Sequence, residues 1–220
     1  MQEKGGMFKS PFTINLASYA KTRGIDHLVI DCDVRPTLMR NTFPDALILD
    51  VDERALQDGV SELFQIVTQL TENKKNLIVD TGANTRRCFN FFFQMARFDD
   101  RVRVGELKVT VFCPVTNWET ATHFFFSKLK TDMPWANLIQ VRIRQALDYK
   151  ADDYPAHPEE RTILFPFIPT GLRNKLQRDS LTLQQAIEQK KFADPTQRDQ
   201  GESFRRDLYA QLDQRQHLIF

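Results

Sequence analysis

His27-Leu28-Val29-Ile30-Asp31-Cys32-Asp33 sets a short apolar run, rich in β-branched residues, directly before two carboxylates. A run of this length with no polar alternation reads as a strand covered on both faces, as parallel strands are. Working outward, Ala46-Leu47-Ile48-Leu49-Asp50 repeats the pattern, and Asn76-Leu77-Ile78-Val79-Asp80-Thr81-Gly82 repeats it again. Between these runs the apolar spacing turns helical. Residues 11–23 place Phe12, Ile14, Leu16, Ala17 and Ala20 mostly on one face, Pro11 suits a first helical turn, and Gly24 suits the position that ends a helix. Residues 56–70 carry Val60, Leu63, Phe64, Val67 and Leu70 at the same period.

The alternation continues along the chain. A Phe-rich helix is expected around 87–98, a strand over 108–112 broken by Pro114, a helix over 118–130, and strands around 138–143 and 162–167. The last part, about 172–220, is helical and more polar, with helices over 172–178, 182–191 and 202–215 and a break at Asp194-Pro195. Apolar strands separated by helices predict an α/β fold, a doubly wound and mostly parallel sheet flanked by helices. No repeat, low-complexity tract or linker divides the chain, so 1–220 is expected to be a single domain.

Composition narrows the function classes. Of 220 residues 41% are hydrophobic and 27% charged, which is globular, and no apolar run approaches the roughly 18 to 20 residues of a membrane-spanning helix. Lys and Arg number 30 against 29 Asp and Glu, so no global basic field exists and any nucleic-acid contact requires a local patch. Cys32, Cys88 and Cys113 lie far apart with no zinc spacing, which fits a reducing compartment. With a polar, Gly-containing start and no apolar leader, the expected location is cytoplasmic. His27, His123, His157 and His217 are scattered and read as packing or surface residues.

The chemistry-bearing string is Lys4-Gly5-Gly6-Met7-Phe8-Lys9-Ser10, just before the first helix. In a phosphate loop, a Gly-containing turn lets backbone N–H groups converge on phosphate oxygens at a helix N-terminus. A lysine neutralises charge there, and a Ser or Thr hydroxyl reaches magnesium. The common GxxxxGK[ST] pattern is not met, because Phe8 stands before Lys9, but the variant KGGxxK[ST] is.

These segments together resemble the ParA/MinD family of deviant Walker A ATPases. KGGMFKS is similar to the family's KGGVGKT, residues 13–20 (TINLASYA) to its following helix, and HLVIDCD to the strand that ends in its DxD switch. NLIVDTGAN, residues 76–84, resembles the Walker B strand, while Cys113-Pro114-Val115 and residues 165–169 (FPFIP) resemble later landmarks. DTGAN and the chain's size also resemble the partition-associated and conjugation-associated branches carried on plasmids.

The resemblance implies a P-loop-type fold and a slow ATPase that binds Mg-ATP, dimerises around it, and positions, partitions or transfers plasmid DNA. By position it assigns Gly5, Gly6, Met7, Phe8, Lys9, Ser10 and Pro11 to the nucleotide, and Ser10 and Asp80 to Mg2+. Lys4 would reach the nucleotide of the second subunit, Lys9 the β- and γ-phosphates, and Asp33 the attacking water. It also implies a partner protein that stimulates hydrolysis, and non-specific DNA binding through basic residues. The stretches holding Arg86, Arg87, Arg97, Arg101 and Arg103, and Lys190, Lys191, Arg198, Arg205 and Arg206, are the candidates, although acids interleave both. The stripe of Phe204, Leu208 and Leu212 with Leu218-Ile219-Phe220 is expected to dock on the domain rather than on a membrane.

Two departures from the family qualify this expectation. Phe8 replaces a glycine that lets backbone approach phosphate, so the alternative is a non-hydrolysing adaptor of the same fold. A small-molecule kinase or ligase is a third reading, for which no acceptor-binding motif is visible. The family's loop also follows a buried central strand, whereas three residues precede Lys4 here. The expectation is therefore that the first strand is missing, with an upstream strand of about five to eight residues and a natural start other than Met1.

Overall fold

A computed structural model describes residues 8–33, 38–50, 56–81, 86–117, 119–144, 154–192 and 194–220, and their side chains except those of 56–60 and 86–88. The chain forms α1 (Lys9–Thr22), β1 (His27–Asp31), α2 (Leu38–Thr42), β2 (Leu47–Ile48), α3 (Leu56–Glu72), β3 (Asn76–Asp80), α4 (Arg86–Met95) and α5 (Phe98–Arg103). Then follow β4 (Thr110–Thr116), α6 (Thr120–Asp132), β5 (Asn137–Ile143), β6 (Thr162–Phe165), α7 (Thr170–Arg178), α8 (Leu183–Glu188), α9 (Pro195–Gln214) and α10 (Gln216–Ile219).

The expected α/β class is observed, with every strand pairing parallel. Among the described residues the strands fall into two three-stranded sheets, ordered β2-β1-β3 and β4-β5-β6, with β3 and β4 each at an end of its order. Alternation along the strands sends residues to two apolar layers, as the pleat requires. Ile30, Leu77, Val79, Val111, Cys113, Val115 and Leu138 join one cluster with α3, α4 and α6. Val29, Ile78, Phe112, Ile139, Val141 and Ile143 join the other with α1 and the C-terminal helices. Each layer thus bridges both sheets.

Several elements differ from the sequence reading for identifiable reasons. β4 runs through Pro114 instead of ending before it, which an end strand tolerates because only one of its edges needs a full ladder. The run at 46–49 gives only the two-residue β2, whose Leu47 and Ile48 are exposed at the sheet margin. The Phe-rich helix divides into α4 and α5 at Arg97, which adopts a left-handed φ of 49°. Phe92 and Phe126 are buried as expected, whereas Phe91 and Phe124 face solvent. The last long helix starts earlier than expected, at Pro195, with the Asp194 carboxylate accepting from Thr196 N–H at 2.9 Å.

The tail docks on α1. Phe204, Leu208, Tyr209 and Leu212 are buried, the Tyr19 hydroxyl donates to Asp213 at 2.7 Å, and Arg23 Nε donates to the same carboxylate at 2.9 Å. Burial and the Asp213 carboxylate push the Tyr19 phenol up to about 12, so it remains a donor. The Phe220 ring stacks on Tyr19 at 6.4 Å. Among the described residues no helix is long and apolar enough to cross a membrane.

Candidate functional site

The site forms where the first turn of α1 meets the carboxyl ends of β1 and β3. Asp31 and Asp80 are paired in register on these neighbouring strands and are 0% and 3% exposed, so the parallel pairing places two carboxyl groups side by side. Ligands of open α/β sheets bind at this edge. Lys9 and Ser10 open a 14-residue helix directly above it, where unpaired N–H groups and the helix dipole favour an anion.

Asp80 is the centre of the cluster. Its carboxylate accepts a hydrogen bond from the Ser10 hydroxyl, and Thr13 Oγ1 donates to Oδ1 at 3.4 Å. Burial pushes the Asp80 carboxyl up to about 6; the bond from Ser10 opposes this, the Asp31 carboxylate adds to it, and Lys9 and Thr13 oppose it. Burial also holds the Lys9 ammonium below its ordinary value, against the attraction of Asp80 and then Asp33. Burial makes each charge costly, and the ammonium is set against two carboxyl groups at the sheet edge, those of Asp80 and Asp33.

Asp33 leaves β1 through a turn in which its N–H donates to Asp31 Oδ1 at 3.0 Å. Arg40 of α2 locks that turn. Its Nη2 donates to the Asp33 carbonyl at 3.2 Å, and its Nε lies 3.9 Å from Asp31 Oδ2.

Phe8 takes a left-handed conformation, φ 59° and ψ 15°, at the start of α1. This is the glycine-favouring region anticipated for the position. Its ring lies edge-on to Phe165 at 6.5 Å, and its carbonyl accepts from Phe12 N–H at 3.0 Å, closing the first helical turn. Pro11 falls in that turn, where a missing N–H costs nothing, and its carbonyl accepts from Asn15 Nδ2 at 2.8 Å.

Of the residues assigned by resemblance, Lys9, Ser10, Asp33 and Asp80 come together. Phe8 and Pro11 flank them, while Lys4, Gly5, Gly6 and Met7 lie outside the described residues. Asp31, Thr13 and Arg40 are additional members. Thr13 is legible in retrospect, three residues beyond Ser10 and hence on the same helix face. Arg40 carries no local signal, because it arrives through tertiary packing of α2.

The remaining candidates are occupied structurally. His27, His123 and His157 each hydrogen-bond a backbone carbonyl, at 2.7, 2.6 and 2.9 Å. Cys113 is wholly buried, with burial pushing its thiol up to about 12, so it acts as a small apolar side chain. In α5 the Arg101 and Arg103 guanidinium groups pair with Glu106 at 2.6 Å and Asp100 at 2.7 Å, and Arg97 also pairs with Asp100. Arg198 pairs with Glu202 at 2.9 Å. These pairs spend much of the positive charge that a DNA backbone would need.

No protein-family model matches the chain, and a search of curated proteins finds no match.

Proposed function

We propose that this chain binds Mg-ATP at the start of α1 and hydrolyses it slowly as a dimer, in the manner of ParA/MinD-like ATPases that position, partition or transfer plasmid DNA. The observation that carries the reading is the meeting of Lys9, Ser10 and Asp80 at the carboxyl edge of a parallel sheet, beneath a helix N-terminus. Phosphoryl transfer to water is chiefly positioning and neutralisation of spread negative charge, which a buried ammonium and helix N–H groups suit. Magnesium commonly binds through one or two protein groups together with the phosphates it accompanies. The Ser10 hydroxyl and the Asp80 carboxylate have the chemistry to hold it in that way. Asp33, fixed by its turn and by Arg40, is the candidate to orient water.

The second reading, a non-hydrolysing adaptor of the same fold, is favoured by Phe8, which places a side chain in a left-handed position that suits glycine. Phosphate release from Mg-ATP, measured beside sedimentation with and without nucleotide, separates the two. The ATPase reading expects nucleotide-dependent dimers and slow release, both lost in Lys4→Ala. Binding without dimerisation or release would favour the adaptor, and a Lys4→Ala protein that dimerises and hydrolyses normally would remove the role given to Lys4.

A further inference from the structure

Residues 154–157, between β5 and β6, lie along β5 as a strap tied at every residue. The Tyr154 hydroxyl donates to the Ile143 carbonyl at 2.8 Å, and the Gln140 side-chain amide donates to the Pro155 carbonyl at 3.0 Å. Lys130 Nζ of α6 donates to the Ala156 carbonyl at 3.0 Å, and His157 Nε2 donates to the Leu138 carbonyl at 2.9 Å. The partners on β5 step from Ile143 back to Leu138, so the strap runs antiparallel to the strand beneath it. It closes over Gln140, which is wholly buried and whose Oε1 accepts from Arg142 Nε at 2.6 Å.

His157 is the tie that depends on a proton near neutral pH. A carbonyl can only accept, so Nε2 carries the hydrogen and Nδ1 holds the bare lone pair of the neutral ring. Nδ1 is buried without a hydrogen-bond partner, and the Phe126 ring stands edge-on to the imidazole at 4.9 Å. A proton added at Nδ1 would therefore find no acceptor. The charged groups that act on the ring come from three elements and are all cations: Lys130 of α6, Arg161 just ahead of β6, and Arg142 of β5. Glu159 and Glu160, the acids next along the chain, are exposed, and their charges act on Arg215. A charged imidazole would be buried, unpaired and repelled. Burial holds it below its ordinary 6.5 against the bond to Leu138, and the three cations lower it further.

We propose that residues 154–157 form a proton-gated strap: neutral His157 seats them on β5, and protonation at Nδ1 releases them and uncovers Gln140. Above pH 6.5 the ring is neutral whether the strap is seated or released. As the pH falls below 6.5, the released ring takes up a proton that the seated ring resists, and the balance moves toward release. It stops moving once the pH passes below the seated ring's own, lower value. The other ties are unchanged over this range, because a phenol, an amide and a lysine keep their protons throughout. The strap is separate from the start of α1, and its release does not depend on nucleotide binding.

Exchange of the Gln140 side-chain amide with water, followed by NMR relative to a free glutamine amide at the same pH, reads the opening of the strap. Between pH 7.5 and pH 5.0 the opening is expected to rise by up to about thirtyfold, the ratio of charged to neutral imidazole about 1.5 pH units below 6.5. The backbone amides of β1, in the other sheet, should stay protected over the same range. In His157→Gln, whose amide can donate to the Leu138 carbonyl without taking up a proton, the rise should vanish. An equal rise in both proteins, no rise in the parent, or loss of β1 protection at the same pH would overturn the proposal. Titration of the His157 ring in the parent decides the question without any variant: a midpoint below 6.5 is expected, and one at or above 6.5 would overturn the strap as a proton gate.

Discussion

Replacing Asp80 by Asn is expected to make the ligand-free protein more stable at neutral pH. The Asp80 carboxyl titrates at about 6 in the folded protein against an ordinary 3.8, so the native state holds its proton more tightly than the unfolded chain does. Below pH 3.8 the group is protonated in both states and contributes nothing. As the pH rises to about 6 the unfolded chain ionises freely while the native state resists, and stability falls; above that the loss is constant. The gap of 2.2 pH units, from 3.8 to 6, corresponds to about 3 kcal/mol. Asn stands in for the neutral carboxyl, so Asp80→Asn should exceed the parent by up to about 3 kcal/mol at pH 8 and match it near pH 3.5. Urea unfolding of both proteins at several pH values measures this, and taking their difference cancels the titrating groups that do not interact with Asp80, leaving Asp80 with its coupled neighbours Asp31 and Lys9. A variant no more stable than the parent at pH 8, or a difference that persists unchanged at low pH, would refute the placement of a buried carboxyl against Asp31. A gain in stability accompanied by loss of Mg-ATP binding would fit a residue retained for its ligand.

Two further substitutions probe the surroundings. Phe8→Gly is expected to raise Mg-ATP turnover, because glycine adopts a φ of 59° without the roughly 1 to 2 kcal/mol that a side chain costs there; unchanged turnover in a phosphate-release assay would show that Phe8 does not limit the site. Gly201→Ala in α9 should leave the urea midpoint nearly unchanged, because about 1 kcal/mol of helix propensity offsets the few tenths of an ångström by which Leu183 Cδ1, 3.0 Å from the added Cβ, must move. A loss of more than about 2 kcal/mol would mean that Leu183 cannot yield and that α8 and α9 are packed too tightly for a methyl group.

Much of this architecture is written locally in the sequence. His27–Ile30 and Asn76–Val79 are apolar runs ended by Asp, and both become parallel strands that deliver their carboxylates to one edge. Lys9 and Ser10 announce themselves by spacing, and α1 places them above that edge. Non-local packing decided what the runs did not show. The string Gln94-Met95-Ala96-Arg97 has no Gly or Pro, yet the chain turns at Arg97, with φ 49°, and the turn brings the Phe92 and Phe98 rings to 5.0 Å. Arg40 enters the site through α2, and no nearby residue in sequence indicates it. That the strands fall into two sheets, β2-β1-β3 and β4-β5-β6 among the described residues, is set by long-range pairing that no local run indicates.

The central claim is that the start of α1 is a working phosphate site, and equilibrium dialysis of Mg-ATP against the parent and Lys9→Ala tests it most directly. The account predicts saturable binding by the parent that falls at least about tenfold without the lysine, in line with loss of a charge-assisted contact. Binding of equal strength in both proteins would contradict it, as would no binding in the parent at millimolar nucleotide.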